Sequence, residues 1–390
     1  MTVANNQTIN DRRGPFNMVS LFAGIGGFEL AFQEVNIKTI LMCEIDPTAQ
    51  CVLRERFPNT PLVGDVCTLE ALPENTDIVC AGFPCQDLSS VGEKMGLAGS
   101  RSSLVREVFR LLNNRRAEWA LFENVPFMLR LNNGEAIRTI IQNLEELGYK
   151  WAYRTIDSIS FVPQHRSRVF ILASLHHDPC DVLLSGEATL PYLKVNPKEF
   201  SSPLGFYWTE GRSALGLTNN AVPTLKAGST IGIPSSPAIA FPNGEVSVPD
   251  IRDAERLQGF PAGWTQPATK VSKQSSRWKL VGNAITVNSV SWIAHKIIAP
   301  QKYDGTKDKL LTGKWPKAAW GQGGIRYTSR ASLYPVDVNH PPLEEFLSFP
   351  RKRLSLKASL GFESRLLAGG LHAPQYFKDA IHNHIISLEG

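Results

Sequence analysis

Two side chains stand where they could do chemistry. Phe83-Pro84-Cys85-Gln86 follows a short apolar run, Asp77–Ala81, and Glu123-Asn124-Val125-Pro126 follows another, Trp119–Phe122; both runs read as strands. Open α/β sheets bind ligands at the carboxyl ends of their strands. A thiol and a carboxylate placed there can face one bound base. Each has a plainer explanation alone, since a single cysteine is more often a buried structural thiol and a glutamate after a strand can cap a helix. Their coincidence at two strand ends favours the chemical reading. Arg166 and Arg168 follow further on, and on their own read as surface salt-bridging residues.

A second group suits a nucleotide. The apolar run Phe16–Phe22 leads into Ala23–Gly27, which carries Gly24, Gly26 and Gly27, and then into a helix-like stretch from Phe28 to Val35. A glycine turn between strand and helix lets the backbone approach a ligand and aims helix N–H groups at an anion, although many such turns are merely tight. Glu44 lies 20 residues beyond Gly24, at the end of the strand-like Thr39–Cys43. A carboxylate in that position of a nucleotide-binding sheet accepts both ribose hydroxyls; a helix-start carboxylate is the duller reading. Asp65, in Gly64-Asp65-Val66, is a candidate for an adenine amine, or else part of a surface turn. An adenosine-bearing cofactor is expected.

The elements needed to position these groups are legible in outline. Asp46 and Pro47 open a helix, Ser103–Leu112 and Gly134–Leu147 have helical periodicity, and Arg168–Ser174 closes the series as a strand. This alternation predicts a doubly wound, Rossmann-like α/β sheet over residues 1–175, completed by 280–300. Residues 176–279 are expected to form a smaller, loop-rich domain, because short apolar pieces separated by Pro, Gly, Ser and Asn fill 176–249 before helical spacing returns at Asp250–Leu257. Helical spacing recurs at Ala284–Ile298, and residues 301–390 read as a C-terminal extension.

Composition excludes little more. A chain of 390 residues with 43% hydrophobic and 20% charged residues is ordinary globular material. No apolar run reaches the roughly 18–20 residues of a spanning helix, and the N-terminus lacks the order of a signal peptide, so a cytoplasmic location is expected. The six cysteines show no metal-binding spacing, which predicts thiols and no metal. A net charge of +5 is compatible with a polyanionic partner and equally with none.

Taken together, residues 18–175 and 250–298 resemble the bacterial DNA cytosine-5 methyltransferase family. Phe22-Ala23-Gly24-Ile25-Gly26-Gly27 is similar to its first cofactor motif, Pro84-Cys85-Gln86 to its nucleophile motif and Glu123-Asn124-Val125 to its acid motif. Gln164-His165-Arg166-Ser167-Arg168 resembles its base-binding motif, while Arg256-Leu257-Gln258-Gly259-Phe260-Pro261 and Gly282-Asn283-Ala284 resemble its two closing motifs.

The resemblance implies methyl transfer from S-adenosyl-L-methionine to C5 of cytosine in a specific sequence of double-stranded DNA, with S-adenosyl-L-homocysteine as product. It makes Cys85 the nucleophile at ring C6, Glu123 the acid at N3, and Arg168 with Arg166 the holders of O2. Phe22 would stack on adenine, Glu44 bind the ribose and Asp65 the adenine amine, with Leu104 and Asn283 as walls. Gly24, Gly26, Gly27, Ile45, Val66 and Pro84 complete the expected cofactor set. The target base must leave the duplex. Residues 86–100 resemble a loop that closes over DNA, and Gln86, Ser89, Arg101 and Gln164 are the expected DNA contacts. Residues 176–249 would select the sequence through side chains such as Trp208, Arg212, Asn219, Asn220, Thr224 and Lys226. A cognate restriction or phage-defence system and a monomeric state are further expectations.

The pattern departs from the family at Ile45, where an aromatic residue often stands, and at Gly99 and Ser102 after the loop. A tRNA cytosine-5 methyltransferase of the same fold would share the chemistry, and a catalytically inactive DNA-binding regulator would leave Cys85, Glu123 and Arg168 idle. A zinc cytidine deaminase would need a second cysteine where Leu88 stands.

Overall fold

A computed structural model describes residues 16–84, 104–188, 199–210, 214–228, 236–370 and 372–389. Cys85, Gln86, Ser89, Gly99, Arg101, Ser102 and Arg212 lie outside the described residues. The first part alternates strand and helix: β1 (Asn17–Leu21), α1 (Gly27–Gln33), β2 (Lys38–Cys43), α2 (Pro47–Arg56), β3 (Leu62–Val63) and β4 (Ile78–Ala81). It continues through α3 (Leu104–Asn114), β5 (Trp119–Asn124), α4 (Glu135–Glu146), β6 (Lys150–Asp157), β7 (Gln164–His165), β8 (Ser167–Ser174) and α5 (Pro179–Leu183). Short strands follow: β9 (Leu204–Phe206), β10 (Thr218–Asn219), β11 (Val222–Pro223), β12 (Ala238–Ala240) and β13 (Val246–Val248). The remainder comprises α6 (Ile251–Leu257), α7 (Ser276–Asn283), α8 (Val287–Ile298), β14 (Lys309–Leu310), β15 (Ala318–Gln322), β16 (Ile325–Thr328), α9 (Leu343–Phe346), β17 (Lys352–Arg353), α10 (Leu356–Ala368) and α11 (Gln375–Glu389).

Ten strands make one sheet in the order β14-β16-β15-β6-β8-β5-β4-β1-β2-β3. β1 to β5 are parallel. β8 then enters antiparallel to β5, and β6 antiparallel to β8. The chain runs outward through β1, β2 and β3 and returns to lay β4 on the other side of β1, so the strand order reverses between β1 and β4. That reversal opens the crevice in which such sheets bind ligands. β4 is buried on both faces, as a central parallel strand must be. Val79, Ala120 and Phe122 pack beneath α3 and α4. Met18, Cys80 and Leu121 point the other way, into a core shared with α1, α2, α5 and α8. α8 lies along α1. No helix among the described residues is long and apolar enough to cross a membrane.

Residues 301–390 do not form one extension. β15 pairs with the outer edge of β6, Trp320 opposite Ala152 and Ala319 opposite Tyr153, and β16 and β14 continue the large sheet. β17 instead closes a five-stranded antiparallel sheet, β10-β9-β12-β13-β17. Against this sheet α10 and α11 bring Phe362 and Phe377, whose ring centroids lie 4.8 and 5.1 Å from that of Phe206. The division has a physical cause. An uncovered β6 would expose a row of unpaired backbone groups, and strands of two or three residues cannot bury a core without a helical layer. α5 likewise packs on β6, β8 and α8, so the large unit reaches past residue 175.

Candidate active site

The turn after β1 is shaped by its neighbours. Phe22 adopts φ +59° and Gly24 φ +58°, the left-handed region that costs a side chain energy. The Gly24 N–H donates to Glu44 Oε2 at 2.7 Å, and the Asp46 N–H donates to Glu44 Oε1 at 2.8 Å. One carboxylate therefore joins the turn after β1 to the start of α2. Burial raises the Glu44 pKa above the ordinary carboxylate value, against the pull of these two amides. A Cβ added to Gly24 would meet nothing within 4 Å, so this glycine opens onto space.

Its companions act differently. A Cβ on Gly26 would lie 2.4 Å from Phe57 Cε2, and one on Gly27 would lie 2.3 Å from Ile285 Cγ2. Gly26, expected at the cofactor, instead allows α1 to pack on the end of α2, and it does not line the main cavity. Gly27 borders only a side cavity of about 40 Å³.

The main cavity, about 390 Å³, occupies the crevice at the strand reversal. That volume falls within the range of small-molecule sites. Phe22 and Gly24 line it from the turn after β1, Glu44 and Ile45 from the segment after β2, and Asp65 and Val66 from the segment after β3. Pro84 reaches it after β4, Leu104 from the start of α3 and Asn283 from the end of α7. Ile45 is 68% exposed, an apolar surface at the rim. Asp65 also caps a short helical turn, accepting the Cys67 N–H at 2.9 Å, while it lines the cavity.

Glu123 and Arg168 line the same cavity. Arg168 Nε lies 2.9 Å from Glu123 Oε1 as an ion pair, and its Nη1 donates to the Ser167 carbonyl at 2.8 Å. Burial lowers the Arg168 pKa and Glu123 opposes that shift. Beside them Asn124 Nδ2 donates to the Phe83 carbonyl at 3.0 Å, tying the end of β5 to the segment that enters Pro84. The sequence reading gave Asn124 no task of its own; an amide at the end of an otherwise apolar strand was the available signal. Trp264, which donates to the Ile25 carbonyl at 2.7 Å and so pins the turn, had no comparable signal.

One expectation requires correction, and a second residue carries work beyond the one expected of it. Gln164, expected to contact DNA, is fully buried; its Nε2 donates to the Leu257 carbonyl at 2.8 Å and its Oε1 accepts the Leu225 N–H at 2.9 Å. Its amide has inward work and no outward face. Arg166, expected to hold a ring oxygen, donates through Nη1 to the Leu225 carbonyl at 2.9 Å and through Nη2 to those of Ala284 and Gly282 at 2.6 and 3.2 Å. Burial pushes its pKa well below the usual value, and Arg168 adds to that. Both Nη atoms therefore clamp backbone, although the residue borders the cavity. Gly282 belongs to the same seam, since a Cβ there would lie 2.2 Å from the Lys226 carbonyl carbon. Segments 164–168, 224–227 and 282–284 are thus sewn into one wall.

Residues 16–207 match the family model described as C-5 cytosine-specific DNA methylase. The chain is 44% identical over 360 residues to Type II methyltransferase M2.BsuMI of Bacillus subtilis (strain 168), covering 89% of this chain and 92% of that protein. It is 24% identical over 312 residues to Type II methyltransferase M.HhaI of Haemophilus parahaemolyticus, covering 72% and 93%. The crystal structure of S. pombe Dnmt2 methyltransferase shares the fold at a TM-score of 0.54 and 18% identity, over 73% of this chain and 98% of that one.

Proposed function

Because the chain belongs to the C-5 cytosine-specific DNA methylase family, we propose that it methylates C5 of a cytosine in a specific duplex DNA sequence through a covalent bond between Cys85 and C6. The observation that carries this reading is that the Gly24–Glu44 pair and the Glu123–Arg168 pair line a single cavity.

The residues fit S-adenosyl-L-methionine: Gly24 leaves space where a side chain would stand, Glu44 offers a carboxylate held by two amides, and Ile45 offers apolar surface at the rim. Phe22, Asp65, Val66, Pro84, Leu104 and Asn283 would form the rest of its pocket. Bound there, the cofactor supplies an electrophilic methyl group. Cytosine C5 is too weak a nucleophile to take it unaided. Addition of the Cys85 thiolate to C6 moves an electron pair onto C5, and Glu123 assists by protonating or hydrogen-bonding N3. Once C5 is methylated, loss of its proton and breakage of the Sγ–C6 bond restore the ring and the thiolate. Arg168 holds Glu123 in place and serves O2 of the ring. The base reaches this cavity by leaving the helix.

Residues 176–249, with the helices that cover their sheet, are assigned to sequence selection. The Type II naming of its relatives supports a role beside a cognate restriction or defence system. Labelled methyl transfer to duplex DNA and to tRNA tests the reading, together with trapping on duplex DNA that carries 5-fluorocytosine. Label on DNA mapped to 5-methylcytosine, and a denaturant-stable adduct lost in Cys85→Ser, are expected. Label on tRNA alone would replace DNA as substrate, and DNA binding without label would indicate an inactive regulator.

A further inference from the structure

Lys226 is positioned with more care than a surface lysine needs. Its neighbour Leu225 is held at both backbone groups, the N–H by Gln164 and the carbonyl by Arg166. Its own carbonyl passes so close to position 282 that only glycine fits there, and Gly282 lines the cavity. The chain at Lys226 is therefore fixed directly behind the cavity wall. Its ammonium lies 3.6 Å from the centroid of the Tyr207 ring and pairs with Glu210. Tyr207 is itself fixed, because its hydroxyl donates to the Thr224 carbonyl at 3.0 Å and Gly216, at φ +61°, makes room for the ring. Glu210 is held from behind by Arg365, whose Nε donates to the Glu210 carbonyl at 2.8 Å.

The pair is nevertheless easily exchanged. The Lys226 side chain is 33% exposed, so solvent and a competing anion can reach its ammonium. A lysine ammonium is a compact point charge that can turn from one anion to another without a planar match. A phosphate brought to this wall competes directly with the Glu210 carboxylate for the same cation.

We propose that Lys226 binds a DNA backbone phosphate beside the cavity and that Glu210 holds it in reserve until DNA displaces the carboxylate. This rests on the reading of the site as one for duplex DNA. It differs from the expectation that Lys226 reads a base in the major groove, and the two make different predictions. A phosphate contact affects all sequences alike and adds about one unit to the salt dependence of binding, whereas a base contact alters preference at one position.

The test titrates the full-length protein with a duplex containing its mapped methylation site and with one lacking it, at several salt concentrations. Lys226→Met should weaken both duplexes by the same factor, roughly tenfold near 0.1 M salt, and lower the salt slope by about one. Glu210→Gln should tighten both, and Lys226→Arg should keep most of the affinity. S-adenosyl-L-methionine titration reports whether each variant is folded; should Lys226→Met not fold, the sign of the Glu210→Gln effect decides alone. Equal weakening by Lys226→Met and Glu210→Gln would make the pair structural and overturn the proposal. So would a change of preference between the duplexes. A wild-type protein that binds neither duplex would instead defeat the reading of the site as one for DNA, and this inference with it.

Discussion

Arg168 and Glu123 face each other from adjacent antiparallel strands, β8 and β5, with Nε 2.9 Å from Oε1 and each side chain 14% exposed. Strand register rather than a loop sets the pair. Glu123→Gln should therefore leave the wall standing and bind S-adenosyl-L-methionine within a few-fold of wild type, while methyl transfer slows by about 10²- to 10⁴-fold. Arg168→Lys should not rescue the site, because an ammonium lacks the planar donor that meets Oε1. Single-turnover kinetics beside cofactor titration check this. Loss of cofactor binding in Glu123→Gln would reverse the roles assigned to the two ends of the cavity.

Glu44→Ala should produce the opposite defect. It removes the acceptor of two backbone amides, each bond to a charged group contributing roughly 1.5–3 kcal/mol, and loosens the turn at Gly24. Cofactor affinity should fall by tenfold or more, with the chemical step at saturating cofactor slowed far less than in Glu123→Gln. Isothermal titration paired with saturation kinetics separates the two effects.

Glu29 on α1 is buried, and neither of its oxygens has a well-formed hydrogen bond. Burial raises its pKa from 4.5 to about 7. Between those values the folded chain keeps a proton that the unfolded chain releases, so this group's contribution falls as pH rises through the window, by on the order of 3 kcal/mol. Glu29→Gln should raise the melting temperature at pH 8 and change it little at pH 5. An equal shift at both would show that the carboxyl does not titrate in this range.

Gln164→Ala should act on stability before DNA binding. It leaves the Leu257 carbonyl and the Leu225 N–H without their buried partner, a loss of about 1–3 kcal/mol for each unsatisfied group. Thermal unfolding should register it, while the salt slope of DNA binding stays at the wild-type value. A changed slope that persists in a Lys226→Met background, with an unchanged melting temperature, would return Gln164 to the DNA surface.

Much of the cavity lining was legible because its residues announce themselves at strand ends: Gly24 after β1, Glu44 after β2 and Pro84 after β4. The structural work that was not legible has one cause. Gln164 and Arg166 are polar residues in a motif, and a sequence does not reveal that their partners are carbonyls and amides far along the chain. β6 was hidden likewise, since Arg154 lies within it, fully buried, with its guanidinium on the carbonyls of Leu183, Gly186 and Ser332. The smaller sheet escaped because its strands of two or three residues are too short for a period to show.

The pairing of β15 with β6 ties this enzyme to the timetable of its own synthesis. A ribosome adding about 5–20 residues per second leaves the edge of β6 without its neighbour for roughly ten to thirty seconds. The smaller sheet waits longer still, because α11 ends at Glu389. A nascent chain thus carries both residues of the Gly24–Glu44 turn well before it has a closed large sheet or a covered smaller one. A message cut short before β15 leaves the edge of β6 unpaired, an aggregation-prone product left to chaperones and proteases.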